Sequence, residues 1–152
     1  MSRQPIAQLV GRETGAVLVE FALTLPLLLL VVVGIFDFGR LFQELEVVTN
    51  SAREGARMAV LPASYVDADI QTRVTSVLRA GGVTAAPSIT ITSAAVDPEG
   101  GGLRFTTRKV VVQVDHTFSY LVPFARIFGG TFGTVPLAAA SEMRTEVAAG
   151  EP

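Results

Sequence analysis

The chain has 152 residues, of which 49% are hydrophobic and 17% charged, with a mean hydropathy of +0.48. Soluble domains carry about 25% charge, so the composition excludes an ordinary soluble domain, and the length allows one domain with an appended helix at most. A net charge of −2 and a pI near 5.4 exclude a generic nucleic-acid binder. The lack of cysteine excludes thiol catalysis, disulfide scaffolds, cysteine-bearing zinc sites and a lipidated cysteine.

The apolar residues gather near the N-terminus. Residues 16–36 read AVLVEFALTLPLLLLVVVGIF, with Glu20 as the one charge. As a helix rising about 1.5 Å per residue, this run spans about 30 Å, the hydrocarbon thickness of a bilayer. Pro26 and Gly34 would weaken a soluble helix but are tolerated in membrane helices. A cleaved secretory signal is the rival reading, but such apolar regions run about 7–15 residues and end in a small-residue site, which residues 34–39 do not offer. Arg3 and Arg12 precede the run and Arg40 and Arg53 follow it, so the positive-inside rule leans towards an inward N-terminus.

Beyond Asp37 the helical pattern becomes one-sided. Phe38, Leu41, Phe42, Leu45, Val48, Ala52, Ala56 and Ala59 form an apolar stripe. Arg40, Gln43, Glu44, Glu46, Asn50, Arg53, Glu54 and Arg57 are expected opposite it. This predicts an amphipathic stalk to about Leu61, stopped by Pro62, with Gly39 and Gly55 as weak points. Ser64-Tyr65-Val66-Asp67 has the spacing of a capping box. It leads into Ile70, Val74, Val77 and Leu78 at helical spacing, and Gly81-Gly82 ends that second helix.

The period then changes to two. Residues 88–96 (SITITSAAV) predict a strand, residues 97–102 a turn-rich loop, and residues 103–118 a second strand with Val110, Val112 and Val114 on one face. Residues 120–135 show no regular pattern. Residues 135–147 predict a last strand, with Leu137, Ala139, Ser141, Met143 and Thr145 sharing a face. The expected fold class is α+β: a long N-terminal transmembrane and stalk helix, a short second helix and a small antiparallel sheet whose apolar face the stalk covers.

Catalytic patterns are weak. His116 is the sole histidine, and alternation along a strand sends Asp115 to the opposite face, so Asp115, His116 and Ser119 make a poor triad. Gly129-Gly130-Thr131-Phe132-Gly133 lacks the lysine of a phosphate-binding loop and reads as a turn. No enzyme, cofactor or metal is expected. Arg53 and Arg57 lie one helical turn apart; they form either a solvated face or contacts to lipid headgroups or a neighbouring subunit's carboxylate. Glu20 stands out, because a carboxylate at the centre of a membrane span costs about 2.5–3.5 kcal/mol and calls for a partner, unless it reaches back to the interface.

Gly15, at the edge of the apolar run with Arg12-Glu13 before it and Glu20-Phe21 after it, resembles the processing site of type IV prepilins and pseudopilins. The blocks Glu20-Phe21-Ala22-Leu23, Leu25-Pro26-Leu27, Phe38-Gly39-Arg40, Ala52-Arg53-Glu54-Gly55-Ala56-Arg57 and Met143-Arg144-Thr145-Glu146 resemble the TadE-like proteins of the tight-adherence (Tad) pilus system. The resemblance implies a minor pilin or pseudopilin cut by a prepilin peptidase between Gly15 and Ala16. Glu20 would then be the fifth mature residue, able to pair with the Ala16 amine of an adjacent subunit. It implies residues 1–15 as leader, 16–36 as transmembrane helix, 37–61 as stalk, 62–147 as an extracytoplasmic domain and 148–152 as a tail. It also implies the bacterial cytoplasmic membrane, with the N-terminus inside and incorporation into a surface pilus open. Implied partners are the peptidase, other pilins, inner-membrane assembly proteins and lipid, with Arg40, Arg53 and Arg57 as candidate stalk contacts. The competing expectation is an unprocessed single-pass anchor carrying a protein-interaction domain of a secretion or envelope complex.

Overall fold

The computed structural model describes residues 7–61, 65–96, 105–127, 129–131 and 133–148, with backbone alone for residues 7–14 and 146–148. In chain order come α1 (Ala7–Ala59), α2 (Asp67–Ala80), β1 (Ser88–Val96), β2 (Phe105–Thr117), α3 (Leu121–Ile127) and β3 (Thr134–Ala148). The fold is α+β, with a three-stranded antiparallel sheet in the order β1-β2-β3. Pro62, Ser64, loop 97–102, residues 1–6 of the expected leader and residues 149–152 of the tail lie outside the described residues.

Two compact units divide the chain: Met1–Phe38 with Ser119–Phe132, and Gly39–Phe118 with Gly133–Pro152. In the second unit the valines of β2 set the sheet. Val112 pairs with Ile89 of β1 and Ala139 of β3, and Val114 with Leu137, so inward side chains line up in rows. Val110, Val112 and Val114 are buried, whereas Gln113 between them and Asp115 after them are exposed. This is the pattern of an antiparallel sheet covered on one face. Val48, Ala52, Ala56 and Ala59 of α1 and Ile70, Val74 and Leu78 of α2 complete the buried cluster. Each fully buried Val, Ile or Leu contributes about 1.5–3 kcal/mol relative to exposure.

The expected stripe is covered only in part. It is buried at Val48, Ala52, Ala56 and Ala59, but Phe38 and Phe42 are exposed. Glu44, expected on the polar side, lies one turn before Val48 and is half-buried. Gly55 is a close-packing point rather than a weak one. A Cβ there would stand 2.7 Å from Val74 Cγ2 and 3.1 Å from Val110 Cγ1.

Helix α2 begins two residues later than its capping signal predicts. Val66 is the N-cap residue in extended backbone, and the Asp69 carboxylate accepts its N–H at 3.2 Å. Valine has no side-chain oxygen to return the bond, so half of a capping box forms. At the other end Gly82, with φ of 85°, takes the left-handed position. Val83 N–H then donates to Leu78 O at 3.0 Å and Gly82 N–H to Arg79 O at 3.0 Å, which is the Schellman closure.

In the first unit the sequence predicts no regular element after residue 120, yet α3 forms there. Seven residues cannot hold a helix alone in water. Asp37 of α1, 1% exposed, accepts hydrogen bonds from Tyr120 N at 3.0 Å and Leu121 N at 2.6 Å. Its carboxylate thereby satisfies the leading N–H groups of α3. Gly129, with φ of 73°, ends α3, as Gly129 and Gly130 N–H groups return to Arg126 and Ala125 carbonyls.

Candidate functional site

The candidate cleavage bond and the Glu20 carboxylate share one helix. Gly15, Ala16 and Glu20 are exposed on α1, which runs unbroken through the Gly15–Ala16 bond. Thr24 Oγ1 donates back to the Glu20 carbonyl at 2.8 Å. No described side chain donates to the Glu20 carboxylate. Around it Leu18, Phe21 and Leu23 are 60–75% exposed, far more contiguous apolar surface than water tolerates. Among the described residues this is the one helix long and apolar enough to cross a membrane, by length and composition.

The three stalk arginines do not converge. Arg40 and Arg53 are exposed at separate turns of α1, and Arg57 is drawn onto Glu54. Arg57 Nε and Nη2 each donate to the Glu54 carboxylate at 3.0 Å, and Arg73 of α2 donates from the other side at 3.1–3.2 Å. The Arg57 hydrogen bonds hold the Glu54 carboxyl down to about 2. Burial pushes the other way, and Arg73 adds to the lowering. In return Glu54 raises the Arg57 guanidinium above its ordinary value. The ion triad therefore clamps α1 to α2 beside the close contact at Gly55.

Three anchoring groups have partners that the sequence does not name. Asp37 is legible only as the first charge after the apolar run; its partners are backbone amides from a distant segment. Arg108, on the inner face of β2, donates to Ala59 O at 3.4 Å and pairs with Asp67. It thus ties the last carbonyl of α1 to the first turn of α2. His116 is 2% exposed, with Nδ1 2.7 Å from Glu44 Oε2 and its ring edge-on to Phe118 at 5.1 Å. Asp115 is exposed on the opposite face, so the alternation that argued against a triad holds. Among the described residues no three His, Cys, Asp or Glu side chains cluster to hold a metal ion.

The late block also has a packing role. Met143 packs on the core, Arg144 lies over the Phe105 ring at 4.0 Å, and Thr145 donates to Thr106 O where the β2–β3 register shifts.

No curated protein and no solved structure matches the chain. The late block lies outside the stretch that a family model matches. That stretch runs from the candidate cleavage glycine to the arginine clamped on Glu54: over residues 15–57 the chain matches the family model of TadE-like proteins.

Proposed function

We propose that this protein is a membrane-anchored minor pilin or pseudopilin that takes part in assembling or initiating a Tad-type pilus. The observation that carries the reading is the TadE-like match over residues 15–57, which takes in Gly15, Glu20 and the block from Ala52 to Arg57. The exposed apolar helix supports a bacterial cytoplasmic membrane location, with the N-terminus cytoplasmic and the sheet unit outside. A prepilin peptidase cuts between Gly15 and Ala16. In a bundle of such helices the Glu20 carboxylate pairs with the Ala16 amine of an adjacent subunit. That pairing fixes register and offsets the cost of about 2.5–3.5 kcal/mol for a carboxylate in hydrocarbon. Other pilins and inner-membrane assembly proteins are the partners, and Phe42 and Arg53 stand exposed on the stalk.

The test is the N-terminal residue of protein purified from its native membrane, read by sequencing or intact mass. A start at Ala16 is expected. A start at Met1 or Ser2, in cells whose peptidase processes another pilin, replaces this reading with the unprocessed anchor. A start beyond Phe36 makes the apolar run a signal peptide.

A further inference from the structure

We infer that α3 is a second membrane contact, lying in the headgroup layer of the outer leaflet beside the exit of the spanning helix. The inference rests on the spanning reading of residues 16–36. If those residues cross the hydrocarbon, Asp37 stands at its outer boundary, and Asp37 accepts the N–H groups of Tyr120 and Leu121 at 2.6–3.2 Å. The start of α3 is therefore pinned to the depth of that boundary. A seven-residue helix is only about 10 Å long and the headgroup layer of a leaflet is about 5–8 Å thick, so α3 has little room to leave the interface.

Its side chains suit that depth. Ile127 is 76% exposed, as open as the most exposed leucine of the spanning helix, and Tyr120 is 51% exposed. Leu121 turns inward, at 6%, so the open apolar surface is not a failure of the segment to pack. Exposed Arg126 stands in the last turn. An aromatic with a polar tip, an aliphatic residue and an arginine on a short helix fit the membrane–water interface, where rings lie at headgroup level and the guanidinium reaches lipid phosphate. The occupant of this surface is lipid, continuous with the lipid around the spanning helix.

The chain has no cysteine, so single Tyr120→Cys, Ile127→Cys, Leu28→Cys and Asp115→Cys variants each carry one label. The full-length protein, labelled with an environment-sensitive fluorophore, is reconstituted into phosphatidylcholine–phosphatidylglycerol vesicles. It is then quenched by aqueous iodide or by lipids bearing a nitroxide near the headgroup or deep in the acyl chain. Labels at positions 120 and 127 are expected to be several-fold less sensitive to iodide than the label at 115. The headgroup nitroxide should quench them more than the deep one does, and the label at 28 should show the reverse. Iodide sensitivity at 120 and 127 equal to that at 115, with 28 still quenched from the acyl chain, overturns the inference while leaving the span intact. Shielding from iodide without lipid quenching assigns the surface to protein and overturns it too. Loss of lipid quenching at 28 removes the span itself and the inference with it.

Discussion

Glu54 sits between two arginines from two helices and is held ionised at acidities where a free glutamate is neutral. Because its folded value is depressed, it stabilises the folded state fully above pH 4.5, its ordinary value, and loses that contribution as pH falls towards about 2. Both arginine side chains are more than half exposed, so solvent screening limits the gain to about 1 kcal/mol. Glu54→Gln is therefore expected to unfold a few degrees below the parent protein near neutral pH. That gap should close as the pH of detergent-solubilised samples is lowered from 4.5 to 2, followed by circular dichroism. A gap unchanged at the acid end would mean that the carboxylate charge is not what the glutamine removes. Glu44 pairs with His116 of β2, and Asp37 accepts from backbone amides. All three acidic residues are on α1, and each also answers a segment distant in sequence, Arg73 for Glu54, His116 for Glu44 and the start of α3 for Asp37, which their local sequence does not name.

At the scale of elements, the block from Ala52 to Arg57 is a packing device whose small and charged residues alternate for separate reasons. Ala52, Gly55 and Ala56 let α2 and β2 close in, while Glu54 and Arg57 clamp the edge. Gly55→Ala gains up to about 1 kcal/mol of helix propensity. It also places a methyl group 2.7 Å from Val74 Cγ2, and Val74 is fully buried on a helix with nowhere to swing. Overpacking of this kind costs about 1–3 kcal/mol, so the variant is expected to lose stability in a chemical-denaturation series on the sheet unit's circular dichroism signal. A gain would mean that the helix crossing relaxes freely. The regular elements were legible because burial imposes a period: β1 and β2 follow from alternation, and the end of α2 follows from its glycine pair. The glycine at 55 reads as a defect in a single helix, since the close approach belongs to the tertiary structure. α3 was illegible for a related reason, as its leading amides are satisfied by a carboxylate more than eighty positions away.

For the whole molecule, the TadE-like stretch ends within α1, so the family signal covers the apolar helix and stalk and leaves the sheet to be read from physics. Under the pilus reading, Glu20→Ala removes a charge that only a neighbouring subunit can answer. It is expected to leave membrane insertion and cleavage intact while the protein disappears from sheared surface filaments, measured by immunoblot of the filament and membrane fractions. Normal incorporation would end the pairing role. The face at Val48, Ala52, Ala56 and Ala59 carries one more consequence, in the order of events during synthesis. A chain emerging N-terminus first presents this face before Ile70 and Val74 of α2 exist, and long before Val110, Val112 and Val114 of β2 arrive to complete the cover. Nascent chains that wait with apolar surface uncovered are prone to aggregate. A face made largely of alanine and glycine leaves little surface to stick while it waits, so the tight packing that small residues permit in the finished fold also protects the chain before folding is complete.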